Sequence, residues 1–257
     1  MSISLKEMNI INSDIIEILR QRIPVGISYA LEVLEKVKWD IEKAEHLIKE
    51  EYITILMKKI GVSREKALES LFVNKFDVEN SLIEIERQIF SSTELIVRTS
   101  NENVEDRINL VLEVIKREIE SSIDEDQELT VQGWFNFELL KPLNPYQFCF
   151  VAIAEWLSYK SYEGFDYAIE FHTDIVTEHI EKTLLLTEIA NSIRICKERK
   201  LYFYEKYKNQ KDGFILAYNK MREDAVFKAN EKYYFDNEKV LIESVHNFIK
   251  AHIEHFP

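Results

Sequence analysis

The chain has 257 residues, 46% hydrophobic and 31% charged, with five glycines and four prolines; that composition describes a globular protein with material for one large or two smaller cores and excludes disorder as the overall state. The formal net charge of −13 divides as −3 over residues 1–100, −10 over 101–200 and 0 over 201–257. An acidic field of this kind repels nucleic acid and favours a partner with a basic surface.

The N-terminal stretch MSISLKEMNIINSDIIEIL combines neither a basic start and apolar core nor a small-residue cleavage site. No window approaches the ~20 apolar residues of a membrane span. The expectation is a cytoplasmic protein with no membrane contact.

An internal repeat sets the architecture of the first third. Shifted by 37 residues, segment 15–48 lies on 52–85 without a gap. Ile18 then faces Ile55, Leu19 Leu56, Ile23 Ile60, Val25 Val62, Ala30 Ala67, Leu31 Leu68, Leu34 Leu71, Asp40 Asp77 and Ile48 Ile85, with Trp39 on Phe76. Each copy reads as three short helices. Helical spacing carries Ile15, Ile18 and Leu19, then Ala30, Leu31 and Leu34, then Ile41, Ala44, Leu47 and Ile48. Pro24 and Gly26 break the first copy, with Ser28 expected to cap the next helix. Gly61 breaks the second, with Ser63 as the expected cap, and Asp40 and Asp77 suit the N-caps of the third helices. Copies of about 40 residues make small cores, so the two are expected to lean on each other or on the rest of the chain.

The run R-x-x-x-G, then A-L-E, then D-I-E-K-A of the first copy, and IGVSREKALESLFVNKFDVENSL of the second, resemble the three-helix bundle shared by ubiquitin-associated domains and the N-terminal domain of elongation factor Ts. The resemblance covers about residues 13–88. Ile23 and Pro24 stand where the elongation-factor type has threonine and glycine, and neither copy has the M-G-F type of loop associated with ubiquitin recognition. Signature segments of the elongation factor's other domains are missing after residue 100. What the resemblance implies is protein binding, with a ubiquitin-like fold or a GTPase as the analogous partner. The loop residues Pro24, Val25, Gly26 and Ile27, and their counterparts Gly61 and Val62, are the candidate contacts.

Residues 91–103, SSTELIVRTSNEN, carry serine, threonine and asparagine without helical spacing and read as a linker between a unit over 1–90 and a helical domain over 104–257. Asn103 caps a helix with Ile108, Val111, Leu112 and Ile115 on one face. IDEDQE is a charged loop. Around Gly133, β-branched and aromatic residues alternate with polar ones, so a short strand or hairpin is expected near 129–139. From Pro145 an apolar helix forms the centre of the core, followed by a helical stretch from about residue 174 to 207, a break at Lys211, Asp212 and Gly213, and two more helices. The fold class is mainly α. Cys149 and Cys196 lie in apolar runs and read as buried free thiols.

Chemistry is sparse. His172 and His179 are about 10 Å apart by helix rise, with Glu178 nearby. Glu243 and His246 have the E-x-x-H spacing of carboxylate-bridged metal bundles, but such sites need two of these plus further glutamates. No phosphate-binding glycine loop, G-x-S-x-G or H-E-x-x-H is present, and no cofactor or catalytic residue is assigned. Tyrosines at 202–208 and 232–239 read as half-buried packing residues or interface residues ahead of nucleic-acid stackers.

The function expected is therefore a non-enzymatic protein-binding module, in its sharper form an acidic inhibitor or immunity-type protein that blocks a basic partner. The docking patch for such a partner is Asp124, Glu125, Asp126 and Glu128. The alternative is an enzyme or metal-binding helical domain using the histidines and glutamates of the C-terminal half.

Overall fold

The computed structural model describes residues 5–98, 103–121, 130–131, 134–135, 137, 140 and 143–257. These contain thirteen α-helices, so the protein is mainly α. They divide into two compact units, 1–90 and 91–257.

The first unit consists of α1 (Leu5–Arg22), α2 (Ile27–Lys36), α3 (Ile41–Ile60), α4 (Arg64–Val73) and α5 (Val78–Ile89). Five helices appear where two sets of three were expected, because the last helix of the first copy runs into the first helix of the second. Lys49, Glu50 and Glu51 at the junction are good helix formers and offer no break. The first half of α3 gives Ala44 and Ile48 to one core, with Leu19, Ile23, Ala30 and Leu34. Its second half gives Ile53 and Leu56 to another, with Ala67, Leu71 and Ile85. Tyr52 and Phe76 pack against both. Ile18, Leu31 and Leu47, expected inside from their spacing, are exposed, since cores this small have room for one stripe per helix.

The repeat extends to the backbone. Lys38 and Trp39 have φ of 58° and 64°, and their counterparts Lys75 and Phe76 have 53° and 62°. Asp40 and Asp77 then cap α3 and α5, accepting from the N–H of Lys43 at 3.1 Å and Asn80 at 3.0 Å. Ser63 caps α4 as expected, accepting from Lys66 N–H at 3.3 Å. The expectation for Ser28 fails: α2 starts two residues earlier, with Gly26 as its N-cap in extended backbone (φ −68°, ψ 147°). The reversed backbone is at Gly61, which closes α3 with φ 76°. The copies differ along one seam, where Val33, Val37, Ala44 and Leu47 of the first face Ser70, Asn74, Ser81 and Glu84 of the second. There the Ser70 hydroxyl donates to the Glu84 carboxylate at 2.8 Å.

The second unit has α6 (Ser92–Arg98), α7 (Val104–Glu120), β1 (Thr130–Val131), β2 (Trp134–Phe135), α8 (Pro145–Glu163), α9 (Phe165–Ala168), α10 (Thr173–Lys182), α11 (Thr187–Tyr207), α12 (Gly213–Glu223) and α13 (Ala225–Ala251). The expected linker over 91–103 is corrected: α6 occupies most of it. Ser91 and Glu94 bond reciprocally, Ser91 N–H to Glu94 Oε2 at 2.7 Å and Glu94 N–H to Ser91 Oγ at 3.2 Å, a capping box written in the sequence as S-S-T-E. Ile96 and Val97 pack on the main core, and Thr93 N–H donates to Pro257 C=O at 2.7 Å. The hairpin expected near 129–139 is a two-residue antiparallel ladder, Thr130 opposite Phe135 and Val131 opposite Trp134.

Helix α8 is the axis of this unit, buried without interruption from Cys149 to Leu157. Pro145 starts it at a position needing no N–H, and Asn144 caps it, accepting from Gln147 N–H at 2.9 Å. Asn103 caps α7 as expected, accepting from Asp106 N–H at 2.8 Å. The continuous helical stretch expected over 174–207 is two helices. The break falls in Thr183-Leu184-Leu185-Leu186, where Leu185 takes φ 60° and Leu186 N–H closes back on Ile180 C=O at 2.9 Å. No glycine or proline marks it.

Candidate functional site

The loop residues singled out by the repeat sit on two separate small cores. Pro24 C=O accepts from the Tyr52 hydroxyl at 2.7 Å, and Val25 C=O from Arg20 Nε at 3.1 Å. The side chain of Val25 is half-buried against the first core, and that of Val62 against the second. Gly61 serves the turn, its N–H bonded to Met57 C=O at 2.9 Å. Of these residues Ile27 alone presents a large apolar side chain to solvent, at 59% exposure.

The outer faces of α2 and of α4 were not singled out by the sequence. Ile27 and Leu31 are one turn apart on α2. On α4, Leu68, the counterpart of Leu31, is followed one turn on by Phe72, 76% exposed, and by exposed Val73. The buried stripe of α4 is Ala67, Ser70 and Leu71, so Phe72 and Val73 have no place in the core. A signal existed in the repeat itself: the first copy carries Glu35 and Lys36 at these two positions. Ordinary surface residues there have become apolar.

The acidic segment Asp124, Glu125, Asp126 and Glu128 lies outside the described residues. A different feature emerges in the second unit, a groove between α7, α8 and α13 lined by both glutamates and lysines. It contains two adjoining cavities of about 300 and 660 Å³ that share Glu105, Glu238 and Ile242, a size suited to a small ligand or a few side chains. At one side Lys160 and the Tyr234 hydroxyl, the latter at 3.0 Å, both bond Glu238 Oε1. Burial, followed by the charge and hydrogen bond of Glu238, raises the Tyr234 phenol well above its usual range.

His172 and His179 are packing residues. His172 stacks on Phe137 at 4.1 Å between centroids, and His179 meets the edge of Phe148 at 5.6 Å. Burial lowers both imidazoles below the ordinary histidine range. Glu178 pairs with Lys182 at 2.8 Å, and Glu243 with Lys239 at 3.7 Å. His246 is buried, its Nε2 without a hydrogen bond, and held below the ordinary range by burial, then by Arg107 and Lys250. Among the described residues no group of three His, Cys, Asp or Glu could hold a metal ion.

Sequence reading also missed a buried cation. Lys200, 4% exposed, donates to Asp166 C=O at 2.5 Å and to Glu170 at 2.7 Å, with the rings of Tyr167 and Tyr204 at 5.2 and 5.6 Å. Arg222 bridges Asp166 and Glu231 beside it, at 3.1 and 2.5 Å. The chain thus provides partners for its own charges, tying α9 and α11 to α12 and α13.

No helix among the described residues is long and apolar enough to cross a membrane. Residues 90–254, nearly the whole second unit, match the family described as the YfbN C-terminal domain. The chain belongs to that family. The family match begins at Phe90, where the two compact units divide. The chain is also similar to the uncharacterized protein YfbN of Escherichia coli (strain K12), 27% identical over 210 residues, 82% of this chain and 81% of that one. Since 210 residues exceed the length of the second unit, the likeness reaches beyond the YfbN C-terminal domain into the repeats. No solved structure matches.

Proposed function

We propose that this member of the YfbN C-terminal domain family is a non-enzymatic, cytoplasmic protein-binding protein whose repeated N-terminal unit supplies the contact surface. One observation carries the reading: Leu31 and Leu68 repeat as exposed apolar positions, and on α4 Leu68 is joined by exposed Phe72 and Val73. Exposed aromatic and aliphatic side chains within one turn of a helix are the composition of an interface centre. The resemblance to ubiquitin-associated and elongation factor Ts bundles supports the same class of activity. The contact is moved from the loops to the outer faces of α2 and α4, because Val25 and Val62 are engaged with their cores. The charge of −10 over residues 101–200 suits a partner with a basic surface, as in the inhibitor or immunity-type version.

The test is capture of partners from the source organism by the full chain beside its Phe72→Ser variant. Loss of one stoichiometric protein with an unchanged melting curve supports the reading. Capture of the same partner at wild-type strength removes α4 from the contact.

A second reading, a ligand-binding or catalytic C-terminal unit, is favoured by the groove lined by Lys160 and Glu238, where Glu238 bonds Lys160 and, behind the groove, the hydroxyl of buried Tyr234. A co-purifying small molecule lost on Glu238→Gln would place it first.

A further inference from the structure

We propose that the face formed by the α10–α11 turn and one flank of α13 is a self-association surface, through which two copies of this chain pair about a two-fold axis. The first observation is Leu185. It takes the left-handed conformation that favours glycine, φ 60°, at the turn that Leu186 N–H closes on Ile180 C=O. Its side chain is 79% exposed. A bulky apolar residue in strained backbone, contributing nothing to its own core, marks a position kept for contact.

The second observation is a cavity of about 290 Å³ at whose rim Leu185 stands, lined by Ile189, Tyr233, Asn237 and Val240, with Glu188 as the one charged residue in its lining. A projecting leucine beside a mainly apolar recess is the layout of an isologous interface, in which the knob of each copy enters the recess of the other.

The third is the pattern of α13. Val226, Asn230, Tyr233, Asn237, Val240, Ser244 and Asn247 are spaced alternately by four and three residues, and none is charged. That is the period by which two helices pack at a shallow angle. Val226, Tyr233 and Val240 are exposed. Asn230 and Asn237 turn their amide N–H groups back onto Val226 C=O at 2.9 Å and Tyr233 C=O at 2.8 Å, which lowers the cost of covering them. The charges beside the stripe are neutralised within the helix, Lys232 with Asp236 at 2.5 Å and Lys239 with Glu243 at 3.7 Å.

Charge selects a second copy as the occupant. The chain carries −13 in total, but α13 sums to zero, four lysines against four acids, which leaves Glu188 as the acid at the recess. Along this helix two like-charged copies can meet without net repulsion. A basic partner, by contrast, finds no net acid on α13 to attract it.

The experiment is sedimentation equilibrium of the full chain over a concentration series, with Leu185→Gly and Val240→Arg. Glycine suits the backbone at 185, so Leu185→Gly keeps or raises the melting temperature while removing the knob. The wild type is expected to dimerise reversibly, Leu185→Gly to weaken the dimer roughly tenfold or more as for a central interface residue, and Val240→Arg to be monomeric with an unchanged circular-dichroism spectrum. A wild type that stays monomeric at the highest concentration reached overturns the proposal, as does a dimer that both variants leave intact.

Discussion

Trp39 and Phe76, 37 residues apart, hold the same left-handed backbone conformation, and each N–H reaches back to the equivalent leucine carbonyl, Leu34 at 2.7 Å and Leu71 at 2.5 Å. Each follows a lysine also in that region, where a non-glycine residue costs roughly 1–2 kcal/mol. Lys75→Gly is therefore expected to stabilise the first unit by about 0.5–1 kcal/mol. Phe76→Ala, which strips a ring packed against both small cores, should cost about 2–4 kcal/mol. Urea unfolding of the two variants would show the midpoint moving in opposite directions.

The loop valines separate packing from exposure. Val25→Asp puts a carboxylate against the first core and should destabilise by about 1–3 kcal/mol. Ile27→Asp, two residues on and largely exposed, should leave the thermal melt within about 0.5 kcal/mol of wild type. Equal melts for the two would show that Val25 is not a core residue.

Asp224 joins α11 to α13. It takes two N–H bonds from Arg199, at 3.0 and 2.7 Å, and caps α13 by accepting from Phe227 N–H at 2.8 Å. The hydrogen bond from Arg199 leads in holding its carboxyl below the usual range. A depressed folded pKa gives stability that is present above the unfolded value of about 3.9 and is lost as pH falls through the folded one. Asp224→Ala should cost about 1–2 kcal/mol at neutral pH, with Asp224→Asn, which keeps a capping oxygen, in between. The differences should shrink in melts recorded in strong acid.

His172, His179 and His246 all have imidazoles lowered by burial. A base with a depressed folded pKa binds its proton more readily when unfolded. Stability is therefore complete above the unfolded value of about 6.5 and falls as pH drops from there toward the folded values. Melting temperature should decline between neutral and mildly acid pH, and less steeply in His246→Gln. A decline equally steep in that variant would exclude His246 as a contributor.

Cys149 and Cys196 are buried, and burial pushes their thiols up to about 11 and about 12. In the folded protein neither should react with iodoacetamide at mildly alkaline pH, and both should react once denaturant is added. Mass spectrometry after quenching reads this directly. Rapid labelling without denaturant would mean that α8 or α11 opens.

What sequence alone determined was whatever depends on residues close together along the chain. The mainly α class, the 37-residue repeat, the caps at Ser63, Asp40, Asp77 and Asn103 and the start of α8 at Pro145 follow from helical spacing and local hydrogen bonding, which neighbours in the chain decide. The S-S-T-E capping box of α6 was equally local and was hidden by a composition that reads as linker. Tertiary structure decided the rest. Apolar spacing marks Ile18, Leu31 and Leu47 in the same way as Leu19 and Ile48, and only the limited volume of each core settles which of them stays in water. Residues 182–187 contain no glycine or proline, so the break at Leu185 depends on where α10 and α11 pack. Lys200 is one cation among 33 until α9 and the turn after it bring Asp166, Tyr167 and Glu170 to it, opposite Tyr204 of its own helix. The uncharged flank of α13 was present in the sequence throughout, but a stripe becomes a surface only when the neighbouring helices leave it uncovered.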